Sequence, residues 1–172
     1  MGDGGLSIAM LRFAREYHSY RDRLPSIPYA YSRTRLAITP EYEIVAMNWA
    51  PLSVSPIHDH GTSRCWVLML EGALDVANFA CDPADVTSDS VVVVETGHFA
   101  LGPGDVDHRL GPTELHRVRN PSATQNAFSL QLYAAPLATY SIVDARSQRR
   151  RVAGAICELD LTLETAKNAP PP

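Results

Sequence analysis

Short runs of β-type residues dominate the sequence after its first thirty residues and constrain its fold more than any other feature. Turn sequences such as Glu71-Gly72 and Asn120-Pro121 separate runs that are rich in branched and aromatic residues. The candidate strands cover residues 34–38, 42–49, 64–71, 73–79, 91–95, 99–101, 127–133, 139–143 and 151–161. So many short strands in a chain of 172 residues predict an all-β protein, either a sandwich or a small barrel.

The N-terminal residues show a different periodicity. Apolar side chains recur there at spacings of three and four residues, at Leu6, Met10, Phe13, Ala14 and Tyr17. This pattern predicts a short N-terminal helical segment, which Pro25 and Pro28 close. No repeat or composition shift marks a second domain. We therefore expect residues 1–165 to form a single domain, followed by a disordered tail at residues 166–172.

Composition and charge argue against several classes of protein. The net charge of −4 argues against binding to nucleic acid or to an anionic membrane surface. No apolar run approaches the roughly 18 residues that a membrane-spanning helix needs. The three cysteines form no Cys-x-x-Cys pair, and the N-terminal residues lack the pattern of a signal peptide. We therefore expect a cytoplasmic protein, a monomer or a weak homo-oligomer, with no nucleic-acid or membrane partner.

His58 and His60 are the residues that point most clearly to chemistry. In an extended segment residues i and i+2 lie on the same face, so both imidazoles can contact one ion. Neutral imidazole binds iron, zinc, copper and nickel, so the pair alone leaves the metal open. A mononuclear site generally needs a third protein ligand. Four other histidines are available for that position: His18, His98, His108 and His116.

The surroundings of these histidines resemble the two metal motifs of the cupin superfamily. His58-x-His60 resembles the first motif, and His116 lies in a segment that resembles the second. Cys65 stands where the first motif usually has a glutamate. The resemblance implies a cupin β-barrel, which is jelly-roll-like, with a metal site of His58, His60 and His116 and no carboxylate. Three neutral ligands leave a bound ion more positive and leave positions open for a substrate and dioxygen.

Within the cupins the chain is similar to the cysteine dioxygenase (thiol dioxygenase) family. The similarity lies in Pro56-Ile-His58-Asp-His60, in Leu115-His116-Arg-Val-Arg-Asn120 and in Ser129-Leu-Gln-Leu-Tyr133, and it extends from about residue 31 to residue 152. It implies Fe(2+) as cofactor, with a small thiol and dioxygen as partners. The implied reaction adds dioxygen to the sulfur of L-cysteine and gives cysteine sulfinate. Two alternatives stay open: another thiol carboxylate, such as 3-mercaptopropionate or mercaptosuccinate, and a cupin that binds metal without turnover.

The same resemblance implies roles for residues beside the metal. Tyr31-Ser-Arg33 matches a substrate-binding segment whose arginine offers a planar fork to a carboxylate. Strand periodicity does not separate Arg33 from Arg35, because both face the same side. Tyr133 matches an active-site tyrosine, and Cys65 matches a cysteine that is joined to that tyrosine by a thioether cross-link in animal enzymes.

One departure from the family pattern lies beside the expected substrate. The usual Ser-x-His-x-Tyr segment reads Ser129-x-Gln131-x-Tyr133 in this chain. Gln131 is expected at the substrate, and Ser129 is expected to support the site indirectly. Glutamine donates or accepts hydrogen bonds but does not change charge near neutral pH as histidine does. This departure leaves the identity of the thiol open.

Overall fold

Twelve strands follow a short N-terminal helical segment in the computed structural model, which describes residues 3–85, 88–111 and 114–162. The segment consists of α1 (Asp3–Arg15), α2 (Tyr17–Tyr20) and a 3-10 turn at Arg21–Arg23. Within these ranges no helix has the length and apolar character needed to cross a membrane. The tail predicted at residues 166–172 lies outside the described residues.

The strands form two six-stranded sheets. The first sheet contains β1 (Tyr31–Ile38), β2 (Glu43–Trp49), β4 (Arg64–Glu71), β7 (Val106–Arg109), β9 (Ala127–Ala134) and β12 (Leu159–Asp160), in the order β12-β1-β2-β9-β4-β7. The second sheet contains β3 (Ile57–His58), β5 (Leu74–Ala80), β6 (Val94–Leu101), β8 (Leu115–Arg119), β10 (Thr139–Asp144) and β11 (Arg149–Gly154), in the order β11-β10-β3-β8-β5-β6. The prediction of an all-β fold with a short N-terminal helical segment is confirmed.

The predicted strands differ from the observed ones in three places. The candidates at residues 91–95 and 99–101 form one strand, β6, and the candidate at residues 151–161 is divided between β11 and β12. Strands β3, β7 and β8 were not predicted. Strand β3 has only two residues, and β7 reads Val-Asp-His-Arg, a polar sequence whose burial depends on contacts with other strands.

Strands β2 and β9 are buried on both faces because the first sheet packs on two different partners. Leu130 and Leu132 of β9 pack with Phe13 and Tyr17 of the helical segment. The alternate residue Tyr133 lies on the opposite face, in the core between the two sheets. Because side chains alternate along a strand, Ser129 and Gln131 share this inner face. The residues expected at the substrate therefore lie inside the barrel.

Candidate functional site

His58, His60 and His116 lie together between the sheets. His58 of β3 and His116 of β8 are opposite one another in the strand register, and His60 follows β3 by two residues. Their ligand atoms all lie within 4.8 Å of one another. The ring centroid of His116 is 4.3 Å from that of His58 and 4.9 Å from that of His60. The structure thus brings together the three histidines that the sequence motifs suggested.

The turn after β3 fixes the position of His60. The fully buried Asp59 accepts hydrogen bonds at Oδ1 from the backbone N–H groups of Gly61 (2.9 Å) and Ser141 (2.8 Å). Gly61 has a φ of +54°, and a Cβ at this position would lie 2.7 Å from the carbonyl oxygen of Thr139. The turn therefore needs glycine, and its close approach to β10 holds His60 beside the other two rings.

Hydrogen bonds and burial leave these imidazoles in the form that binds metals. Nδ1 of His58 is 3.0 Å from the carbonyl oxygen of Pro56, and Nδ1 of His116 is 3.3 Å from that of Glu114. Because a carbonyl oxygen only accepts, each Nδ1 carries the hydrogen and each Nε2 keeps a free lone pair. Burial lowers the pKa of His58 to about 4 and the pKa values of His60 and His116 well below 6.5.

This donor set fits a metal ion of the kind that imidazole prefers. All three rings are neutral at pH 7, and two of them are oriented by backbone carbonyls. Nδ1 of His60 is buried without a hydrogen-bond partner among the described residues. The three histidines therefore present convergent ligand nitrogens, and no carboxylate belongs to this cluster in the part of the chain that the structure describes.

The metal-free protein should lose stability as the pH falls from 6.5 towards 4. Unfolded histidines take up protons near pH 6.5, whereas the buried rings stay neutral to a lower pH, so the unfolded state binds more protons in this range. His58 alone is expected to lower the free energy of unfolding by ~3 kcal/mol between pH 7 and pH 4. Urea unfolding of the metal-free protein at pH 7, 6 and 5 measures the effect.

A His116→Gln variant should show a weaker pH dependence, whereas His98→Ala, at a side chain that is 81% exposed, should keep it. A free energy of unfolding that does not change between pH 7 and 5 would be inconsistent with buried neutral histidines.

Arg33 presents free donors to the cavity that the three histidines line. Its Nη1 donates to the hydroxyl of Tyr133 at 3.1 Å. Its Nε and Nη2 are buried and have no hydrogen-bond partner within the described ranges, although the thiol of Cys157 lies near the guanidinium. Arg35 instead bonds Glu43 at 2.8 Å and also pairs with Asp160. The structure therefore separates the two arginines that strand periodicity did not.

Tyr133 is the centre of a buried hydrogen-bond network. Its hydroxyl donates to Oε1 of Gln131 and accepts from Arg33. Cys65 lies opposite Tyr133 in the β4–β9 register, and both side chains are buried in the core between the sheets. Burial raises the pKa values of both Cys65 and Tyr133 well above their ordinary values. Thiol and phenol are therefore both protonated at neutral pH and lie side by side.

Ser129 and Tyr31 support the cavity through Trp49. Oγ of Ser129 accepts a hydrogen bond from Nε1 of Trp49 at 3.1 Å. The Trp49 ring packs on the Tyr31 ring, with 4.8 Å between centroids, and both rings line the cavity. Tyr31 thus lines the cavity, whereas Ser129 contacts it only through the indole of Trp49.

The remaining histidines lie outside this cluster. His98 and His18 are exposed, and His108 stacks on Trp66 with 4.4 Å between ring centroids. Sequence reasoning missed Asp107 and Tyr140, which also line the cavity. The signal for Asp107 was the alternation in β7, where residues 107 and 109 share a face, but charged residues in this short segment favoured a loop.

The two sheets are mainly antiparallel and form a barrel with three histidines inside it. This arrangement is that of a cupin with a candidate metal centre. The chain belongs to the cysteine dioxygenase family, because the family described as Cysteine dioxygenase type I matches residues 15–146. Human cysteine dioxygenase type 1 is 32% identical over 107 residues, which cover 62% of this chain and 52% of that one. The Rattus norvegicus enzyme is 30% identical over the same length, with the same coverage of each chain.

The chain therefore spans about half the length of the curated relatives it matches. Among solved structures, TT1209 from Thermus thermophilus is similar, with a TM-score of 0.51 and 20% sequence identity. The match covers 67% of this chain and 94% of that one. At this identity the likeness concerns the fold.

Proposed function

We propose that this protein is an iron(II)-dependent thiol dioxygenase that converts L-cysteine to cysteine sulfinate. The observation that carries the proposal is one cavity lined by three neutral histidines, a buried guanidinium with free N–H groups, and a phenol. Family membership supports the class of reaction. In the overall reaction one thiol and one dioxygen combine, both oxygen atoms end on sulfur, and the S–H proton remains with the sulfinic acid.

Different residues bind the metal and the substrate carboxylate. Fe(2+), if held by His58, His60 and His116, would supply open coordination positions and one-electron redox chemistry, while the four electrons that reduce dioxygen come overall from the thiol sulfur. Nε and Nη2 of Arg33 form the fork that binds the substrate carboxylate. This anchor places the thiol of a short amino acid beside the histidines. Binding also pairs the buried charge of Arg33, whose Nε and Nη2 have no hydrogen-bond partner among the described residues.

The phenol of Tyr133 is held in one orientation by its two neighbours. Arg33 donates to its oxygen, and its own proton is directed to Gln131. Since neither the guanidinium nor the amide changes charge near neutral pH, the hydrogen bonds of this network keep the same direction over the working range. Tyr133 therefore offers a fixed dipole beside the reacting thiol.

Oxygen uptake by the purified, iron-loaded protein tests the proposal. L-cysteine should cause uptake of about one dioxygen per thiol consumed, with sulfinate as the product. Uptake with 3-mercaptopropionate or mercaptosuccinate but not with L-cysteine would assign another thiol carboxylate. Gln131 in place of the family's histidine favours a second candidate, a cupin that binds metal without turnover. Stoichiometric iron with no oxygen uptake for any thiol would support that candidate against ours.

Cys65 and Tyr133 are expected to form a thioether cross-link. Joining Sγ to a ring carbon removes two hydrogen atoms, which dioxygen takes up as the oxidant, so the intact mass should fall by about 2 Da. Mass spectrometry of protein turned over with L-cysteine measures this change, and a denaturing gel should show two bands. Cys65→Ala should have its sequence mass and one band. Complete alkylation of Cys65 in the denatured wild-type protein would show that the bond does not form.

A further inference from the structure

Arg150 of β11 is a buried cation on the outer face of the second sheet, away from the cavity. Its side chain is only 9% exposed. In the strand register Arg150 lies beside Val143 of β10, and Val143 lies beside Ile57 of β3. Ile57 alternates with His58, which lines the cavity, so Arg150 shares the opposite, apolar face with Ile57 and Val143. A charge in such a place is costly unless it has a partner.

Residues 88–93, which precede β6, cover this face and enclose Arg150. The backbone N–H of Arg150 donates to the carbonyl oxygen of Asp89 at 2.9 Å, and the N–H of Val91 donates to that of Gln148 at 3.0 Å. The side chain of Val91 is fully buried in the apolar cluster that contains Ile57. The covering segment is therefore fastened to β11 on both sides of the arginine.

The partner of this guanidinium is a thiol. Nη2 of Arg150 donates to Sγ of Cys81, which directly follows β5, at 3.8 Å. Nε and Nη1 of Arg150 are buried and have no hydrogen-bond partner within the described residues, so no carboxylate among these residues pairs with the charge. Buried donors without an acceptor cost free energy. Cys81 is only partly buried, so a small reagent can reach its sulfur.

The free donors of Arg150 are placed to bind an oxygen atom attached to the sulfur of Cys81. A guanidinium is planar, and Nη2 forms one donor fork with Nε and a second fork with Nη1. Since Nη2 already contacts Sγ, an oxygen on the sulfur can contact a fork that includes a free N–H. Both free nitrogens are shielded from solvent, which favours a reagent that delivers one oxygen atom over a bulky disulfide.

We propose that Cys81 is a peroxide-sensitive thiol whose sulfenic acid is stabilised by Arg150. The sulfur attacks one oxygen of a hydroperoxide, and the S–O bond forms as the O–O bond breaks. The thiol proton ends on the leaving oxygen, as water or an alcohol, so sulfur loses two electrons and the peroxide gains them. The guanidinium, which is always charged, favours the negative charge on the attacking sulfur and then donates to the new oxygen. This site does not depend on the proposed function.

Trapping of the sulfenic acid tests the proposal. The full-length protein is treated with hydrogen peroxide and dimedone, with a chelator to prevent iron-catalysed oxidation, and mass spectrometry of its peptides locates the adducts. Dimedone should label Cys81 before the fully buried Cys65 and before Cys157. Arg150→Gln should slow the labelling of Cys81 by at least ~10-fold, the effect of one hydrogen bond to a charged group. Because this variant removes a buried charge that has no carboxylate partner, the barrel should remain folded.

Arg151→Gln is the matched control. Arg151 is the next residue of β11 and is exposed, because neighbouring side chains of a strand point to opposite faces, so this variant should be labelled at the wild-type rate. The direction of the change separates chemistry from structure, since a loosened segment over Arg150 would expose Cys81 and speed its labelling. Unchanged or faster labelling in Arg150→Gln, labelling of Cys157 before Cys81, or oxidation of Cys81 without a dimedone adduct would overturn the proposal.

Discussion

Replacing His116 by alanine is expected to abolish iron binding and all oxygen uptake. The ligand atoms of His58, His60 and His116 lie within 4.8 Å of one another, and no carboxylate belongs to this cluster among the described residues. Two imidazoles from one turn then remain to hold the ion. Loss of a residue that merely orients a ligand typically costs 10–100-fold in metal affinity, so loss of the ligand itself should cost at least about 100-fold. Iron content after gel filtration, with titration against a chelator, measures the change.

His98→Ala is the matched control for this experiment. His98 also lies on a strand of the second sheet, but its side chain is 81% exposed and faces away from the cluster. This variant should retain iron and activity. Thermal unfolding of both variants checks that the barrel remains folded. Retention of iron by His116→Ala, or loss of iron from His98→Ala, would show that His116 is not the third ligand.

Replacing Arg33 by glutamine is expected to lower kcat/KM for L-cysteine by about 100- to 1000-fold. Truncating one partner of a buried, hydrogen-bonded charge pair typically costs 2–5 kcal/mol, or roughly 30- to 4000-fold, and the expected loss lies in the middle of this range. The substitution removes the two free N–H groups that we assign to the carboxylate, and it also removes the donor to Tyr133. Initial rates of oxygen uptake over a range of L-cysteine concentrations give the value.

A ligand without a carboxylate distinguishes this role from a general loss of structure. Cysteamine has the thiol and amine of cysteine but no carboxylate, so Arg33→Gln should not weaken its binding to the iron-loaded protein. Arg64→Gln, at an exposed arginine that packs on Trp66, should leave the kinetics with L-cysteine unchanged. Equal losses for L-cysteine and cysteamine would show that Arg33 maintains the cavity rather than binds the carboxylate.

The sequence predicted those strands whose own residues form a recognisable apolar run. Strand β4 was predicted at its observed bounds, Arg64–Glu71, because its residues form one uninterrupted apolar run between turns. Strands β2 and β9 were also recognised from apolar runs, since they are buried on both faces. Strand β7 was not predicted because Asp107 and Arg109 pair with each other inside the barrel. Arg109 also donates to Asn78 of β5, 31 positions earlier in the chain, and a contact at this separation has no local signal.

The site was predictable to the extent that family motifs describe it. Spacing and resemblance selected His58, His60 and His116, and the structure brings these three together. Strand periodicity did not distinguish Arg33 from Arg35, because the two side chains differ only in the residues of other segments that they contact. Arg35 forms ion pairs with Glu43 and Asp160, whereas Arg33 donates a hydrogen bond to Tyr133.

Isotopically labelled dioxygen tests directly whether this protein is a thiol dioxygenase. Iron-loaded protein is mixed with L-cysteine under ¹⁸O₂, and the product is analysed by mass spectrometry. We expect cysteine sulfinate in which both oxygen atoms on sulfur are labelled, and no sulfinate from the His116→Ala variant. Product without label, or no sulfinate from protein that retains its iron, would contradict the assignment of a thiol dioxygenase.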